Sequence, residues 1–309
     1  STLILDAPLV LDQGEDLKLW KPENYGKKFY GPSTLRKGIE YSRNLMTVRI
    51  AKILGLDKIL TLSKKLNIYD EIPELLSVSL GAAETTLLNL TAAYAPFVNG
   101  GKKIEPSLIS RIQDRRGNTI FQSKNRKCLG CDKFINQPIE FPLIENTNEQ
   151  IISKETAYQM TSILKGAVDR GTAKKLKSLK VPLAGKTGTT NDNYDAWFIG
   201  FSSNLVIGVY IGFDNPKSLG KFETGSKAAL PIFKNFVENG LFKDDFEDFK
   251  VPENILLTSL NYDTGLKSGL GDKNTIVEAL KIKDINNINN NNLITINGRD
   301  SLIRFRQFY

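Results

Sequence analysis

The chain has 309 residues, 42 basic against 34 acidic side chains for a formal charge of +8, and no histidine. The missing histidine excludes Ser-His-Asp and Cys-His catalytic arrangements and histidine metal sites, so proton transfer near neutral pH falls to Lys, Asp, Glu, Tyr or a perturbed Cys. A chain of this length buries a sizeable core, and its scattered cations, with no block of five or more, read as a solvated surface rather than a nucleic-acid patch.

Residues 1–32 read as extended and turn-rich, with Leu3-Ile4-Leu5 and then Pro8 and Pro22. Ser33 is the expected N-cap of a helix over Thr34 to Tyr41, and a second helical pattern runs through Leu45, Val48, Ala51 and Ile53. Gly55 and residues 57–67 suggest a further short helix. Thr85 to Val98 forms an apolar stripe that Gly100-Gly101 closes. Residues 102–150 look irregular and partly stranded, with a turn at Arg115-Arg116-Gly117-Asn118. Ser153 caps a strong amphipathic helix ended by Gly171.

Three strand-like runs follow, at 181–189, 194–202 and 204–213, joined by connections short enough to predict three adjacent antiparallel strands. The last run is almost continuously apolar from Leu205 to Phe213, as a central strand covered on both faces would be. Ala228 to Gly240 is helical again, and residues 285–292 form an asparagine-rich, low-complexity stretch. Helices on both sides of an antiparallel sheet, with no Gly-x-Gly-x-x-Gly or Walker loop, give an α/β fold class that is not a dinucleotide-binding one.

The two cysteines stand together as Cys128-Leu-Gly-Cys131 behind Asn125-Arg126-Lys127. One Cys-x-x-Cys with no second pair makes a poor zinc site, and the setting reads as an exposed loop. A local disulfide, free structural thiols and a metal remain open, in that order. No apolar run reaches the ~18–20 residues that a membrane helix needs, and no signal peptide opens the chain. Residue 1 is Ser rather than Met, so the chain is expected to begin inside a longer product whose other part would hold any membrane anchor.

Two short motifs carry chemistry. Ser42-Arg43-Asn44 lies at a break between two helices, where a capping turn is the ordinary reading. Lys186-Thr187-Gly188-Thr189 lies within a strand, where a polar edge is the ordinary reading. A cation and two hydroxyls on one strand edge suit a carboxylate, and Gly188 lets a backbone or ligand come close.

In this order the motifs resemble the Ser-x-Asn and Lys-Thr-Gly elements of the penicillin-binding protein transpeptidase domain. The likeness extends to Trp20-Lys-Pro-Glu-Asn-Tyr25, Phe29-Tyr-Gly-Pro32, Gly171-Thr172-Ala173, Ala184 to Asp192, Asp195-Ala-Trp-Phe-Ile-Gly200 and Gly208 to Asp214. Val251-Pro252-Glu253, Asp263-Thr-Gly265 and Thr275-Ile-Val-Glu-Ala279 resemble the C-terminal extension of the bifunctional class A branch. The resemblance implies a serine β-lactamase-like α/β fold, with an antiparallel sheet flanked by helices, over residues 1–250, and an extension over 251–309. It implies no cofactor and no metal. The partners it implies are peptidoglycan stem peptides, β-lactam antibiotics and other cell-wall synthesis proteins, with no nucleic acid. The compartment it implies is outside the cytoplasm, with the full-length protein expected to be anchored in the inner membrane and to carry a glycosyltransferase domain upstream.

By the same resemblance Ser42 relays a proton toward the leaving amine and Asn44 holds the donor amide. Lys186, Thr187, Gly188 and Thr189 receive the substrate carboxylate, and the Thr189 N–H forms half of an oxyanion hole. The family's nucleophilic Ser-x-x-Lys should precede Ser-x-Asn, yet residues 1–41 contain none. The spacing recurs only at Ser162-x-x-Lys165 and Ser218-x-x-Lys221, both in the wrong order. The expectation is a D,D-transpeptidase domain that begins after its nucleophile and is inactive alone. The alternatives are a non-catalytic remnant that only binds peptide or β-lactam, and a serine β-lactamase or D,D-carboxypeptidase.

Overall fold

The computed structural model describes residues 2–12, 19–123, 126–129, 143–241, 246–269, 271–287, 292–294 and 302–304. Strand β1 (Leu3–Asp6) pairs antiparallel with β2 (Gly31–Thr34) and parallel with β12 (Asn292–Ile294), which pairs with β13 (Leu302–Arg304). Helix α1 (Leu35–Glu40) leaves β2 directly, and its N-cap is Thr34, whose Oγ1 accepts the Lys37 N–H, rather than Ser33. Ser33 sits in β2 and its hydroxyl accepts from Arg43 instead. Thr34 takes the capping role because its extended backbone, at φ −64° and ψ 145°, aims Oγ1 at the third following amide.

Helices α2 (Asn44–Leu54) and α3 (Leu56–Lys65) meet at Gly55, whose φ of 86° suits a residue without Cβ. A 3-10 turn (Leu76–Leu80) and α4 (Leu87–Val98) follow. The expected turn at 115–118 joins β3 (Arg111–Gln113) to β4 (Thr119–Gln122). Cys128 lies on β5 (Arg126–Leu129), paired with β6 (Leu143–Asn146). Its side chain and all of Cys131 lie outside the described residues, as do positions 288–291 of the asparagine-rich stretch.

The working core is a three-stranded antiparallel sheet, in the order β7 (Ala184–Thr189), β8 (Ala196–Phe201), β9 (Val206–Ile211). The three expected strands are thus adjacent, but β8 is central and β9 is an edge. The apolar run of β9 has another cause: α4 covers one face of this edge strand and α6 (Ala229–Gly240) the other. Along β8 the alternation is clear. Phe198 stacks edge-on to Phe233 of α6 at 4.8 Å, while Phe201 turns to Tyr94 of α4 at 6.4 Å. Helix α5 (Lys154–Asp169), capped by Ser153 as expected, packs on β7 and α4. The result is a helix–sheet–helix sandwich with β7 open on its outer edge.

Beyond residue 250 the hairpin β10 (Ile255–Asn261) and β11 (Thr275–Lys281) packs against α5. Buried polar groups secure it. The Arg36 guanidinium donates to both Glu278 carboxylate oxygens, with Nε to Oε2 at 2.6 Å, and Tyr262 donates to Glu40 at 2.5 Å. Buried charges of this kind persist only when paired and fully hydrogen-bonded, as these are.

Candidate active site

The turn between α1 and α2 carries Ser42 in the left-handed region at φ 53°, which costs a non-glycine residue about 1 kcal/mol. Arg43 fixes the turn. Its N–H donates to the Gly38 carbonyl at 2.8 Å, its guanidinium donates to Ser33 Oγ at 2.9 Å, and it lies 3.9 Å from the Tyr30 ring centroid. With Arg43 held in this way, the Ser42 hydroxyl points at β7.

Lys186 pairs with Ile199 across β7 and β8, and so shares the face that α4 and α5 cover. Its Nζ donates to Ser42 Oγ and, at 3.0 Å, to the Thr187 carbonyl. Burial without a carboxylate partner pulls its pKa down to about 8. The ammonium therefore remains charged at pH 7 and loses its proton more readily than an ordinary lysine.

Thr187 and Thr189 project to the opposite face of β7. The Thr187 and Thr172 hydroxyls lie 2.9 Å apart. Thr189 Oγ1 accepts the Gly225 N–H at 3.0 Å, which leaves its own proton free to donate. The close approach beside Gly188 is permitted by Gly225: a Cβ on Gly225 would lie 2.4 Å from the Gly188 carbonyl oxygen, whereas one on Gly188 would meet Trp197 Cβ at 3.0 Å. Asn44, at the start of α2, has its Nδ2 donating to the Glu23 carbonyl at 2.8 Å.

Both recurrences of Ser-x-x-Lys are engaged elsewhere. Ser162 Oγ accepts from Arg36 at 2.9 Å while Lys165 pairs with Asp169 at 2.8 Å. Ser218 donates to the Asp192 carbonyl at 2.7 Å, and Lys221 lies over the Phe222 ring. Neither serine has the activating amine within reach that a nucleophile needs. Among the described residues no cluster of carboxylates and thiols suited to a metal is present, and no helix is long and apolar enough to cross a membrane.

Sequence reasoning missed Glu40. It is wholly buried and takes hydrogen bonds from Arg36, Arg170 and Tyr262, two residues before Ser42. The Arg36–Glu40 spacing of four on a helix is the signal that could have drawn attention to it.

Residues 3–238 match the penicillin binding protein transpeptidase domain. Penicillin-binding protein 1A of Rickettsia conorii is 40% identical over 292 residues, covering 94% of this chain and 36% of that protein. Penicillin-binding protein 1A of Pseudomonas aeruginosa is 31% identical over 316 residues, covering 92% and 38%. The crystal structure of penicillin-binding protein 1A from Haemophilus influenzae superposes with a TM-score of 0.76 at 29% identity, covering 90% of this chain and 44% of that one. The chain thus spans little more than a third of the length of the curated relatives it matches. A match over this much of the chain, in which Lys186 also hydrogen-bonds Ser42, places it in the penicillin-binding protein transpeptidase domain family.

Proposed function

We propose that the chain forms the substrate-holding side of a peptidoglycan D,D-transpeptidase, working outside the cytoplasm on stem peptides that end in D-Ala-D-Ala. One observation carries the reading: the Lys186 ammonium meets Ser42 across 144 positions of sequence, on an edge strand whose next hydroxyls are Thr187 and Thr189. A peptide laid along the open edge of β7 would present its terminal carboxylate to the free Thr189 proton, while the Lys186 ammonium on the other face of the strand attracts it through space. In the acyl transfer, a serine oxygen attacks the penultimate D-Ala carbonyl and the terminal D-Ala departs as an amine. Ser42, already hydrogen-bonded to a lysine whose pKa is about 8, is placed to pass the proton that this amine takes up. Asn44 would hold the donor amide through its side-chain oxygen or its second N–H, the first N–H being bonded to the Glu23 carbonyl.

The attacking serine and its lysine are not supplied by Ser162 or Ser218, so these 309 residues alone bind and orient without forming an acyl-enzyme. NMR of the chain labelled at lysine, titrated with an N-acylated L-Lys-D-Ala-D-Ala peptide, tests the reading. Lys186 signals are expected to shift saturably at millimolar peptide, and Lys186→Ala and Thr189→Val to weaken binding fivefold or more. A peptide that leaves Lys186 unmoved, or binds both variants equally, would refute it.

A further inference from the structure

We infer that the β10–β11 hairpin is a working part of the cleft: through Tyr262 and Glu278 it positions the Ser42 turn against β7, with Glu40 as the shared reference. Helix α1 is only six residues long and ends at Glu40, so its own hydrogen bonds cannot hold the turn that follows. Instead the buried Glu40 carboxylate receives donors from three separate parts of the chain. Arg36 Nη1 reaches Oε1 at 3.3 Å, Arg170 Nη2 reaches Oε1 at 2.6 Å and Nε reaches Oε2 at 3.2 Å, and the Tyr262 hydroxyl reaches Oε2 at 2.5 Å. Glu278 grips Arg36 from the hairpin side, and Thr34 Oγ1 donates to the Tyr262 carbonyl at 3.2 Å.

The Glu40 backbone completes the link to the other wall of the cleft. Its carbonyl accepts the Thr172 N–H at 3.1 Å, and the Thr172 hydroxyl meets Thr187 on β7 at 2.9 Å. One residue therefore ties the Ser42 turn, the Lys-Thr-Gly strand and the hairpin together. Two glycines make the contact close enough. A Cβ at Gly166 would fall 1.7 Å from Glu40 Oε1, and one at Gly171 would fall 2.2 Å from the Glu40 carbonyl oxygen. The Tyr262 hydroxyl is suited to a permanent donor, because burial and the adjoining Glu40 hold its pKa far above the ordinary tyrosine value.

Tyr262 and Glu40 touch no substrate; they are positioning residues, and this role rests on the transpeptidase reading of the cleft. The decisive variant is Tyr262→Phe in the full chain, with exposed Val277→Ala on the same hairpin as control. In Tyr262→Phe the amides of Ser42, Arg43 and Thr172 are expected to exchange tenfold faster or more. The Lys186 titration, near pH 8 in the parent chain, should move up by half a unit or more as its ammonium gains water. Unchanged exchange and an unchanged Lys186 titration in a folded Tyr262→Phe chain would overturn the inference.

If the variant does not fold, native-state exchange of the parent chain decides instead. The amides of Tyr262, Arg43 and Thr172 should then open together in mild denaturant, and separate opening would overturn the inference. Both measurements are made without peptide, so a failure here is distinct from a failure of the peptide titration.

Discussion

Lys186 and Ser42 each occupy a state that an ordinary surface residue would avoid, and the two meet. A lysine whose folded pKa is about 8 binds fewer protons than the unfolded chain between pH 8 and its ordinary value of 10.5. Stability should therefore rise with pH across that window, and the penalty is fully present below pH 8. Lys186→Met is expected to stabilise the chain at pH 7 by about 2 kcal/mol, a figure reduced for the side chain's partial exposure. The gain should vanish by pH 10.5 and the cleft should lose its affinity for carboxylate. Urea unfolding of both chains at pH 7 and pH 10.5 checks this; a gain that does not depend on pH would show that burial of the charge is not its source. Ser42→Gly should likewise stabilise, by about 1 kcal/mol, because glycine adopts the left-handed φ of 53° freely. Natural retention of a serine there is explained by its hydroxyl, which a glycine would remove.

At the scale of elements, amphipathic periodicity made α2, α5 and α6 legible, because each buries one stripe: α5 and α6 against the three-stranded sheet, α2 against β1 and the 3-10 turn. The place of β9 was misread for a physical reason: continuous apolarity reports that both faces are covered, and says nothing of neighbours within the sheet. α4 and α6 pack on the two faces of this edge strand and leave most of its residues half-buried, where the central β8 is almost wholly buried. The N-cap was displaced by one residue because Ser33 and Thr34 are equally capable cappers, and only the strand β2 decides which of them remains extended. The closeness of α5 to Glu40 could not be read at all, since Gly166 and Gly171 look like ordinary helix interruptions until their neighbour is known. That closeness yields a prediction. Gly166→Ala would drive a methyl into the Glu40 carboxylate and should cost about 3 kcal/mol or more, by displacing a buried charge from its partners. Gly26→Ala, which meets nothing within 4 Å, should change stability by less than about 0.5 kcal/mol. Thermal unfolding of the two variants separates steric contact from the general effect of replacing glycine.

Across the whole molecule, the candidate site was legible where chemistry and order along the chain coincide. Ser42 and Lys186 could be placed together, though 144 positions separate them, because residue types and order form one pattern. The supports of that site were less legible: beyond the Arg36–Glu40 spacing, Glu40, Thr172 and Tyr262 act through contacts between distant segments, which leave no mark in the local sequence. The same reasoning sets the last expectation, for an encounter of these 309 residues with a labelled penicillin. Covalent capture requires a serine oxygen beside a basic amine and donors for the developing oxyanion. Ser162 is held by Arg36, its nearest patterned lysine is spent on Asp169, and Ser218 is tied to the Asp192 carbonyl. Ser42 has the amine, but Lys186 donates to it rather than accepting its proton at pH 7. Loss of an activated nucleophile costs several powers of ten in rate, so intact-mass spectrometry after incubation at pH 7 should show the unmodified chain, with weak reversible binding that Lys186→Ala abolishes. Raising the pH to 9 deprotonates Lys186 and provides the sharper case. An acyl-sized mass increase there, mapped to Ser42, would show that this serine can be activated by its own lysine and would replace the proton-relay role proposed for it.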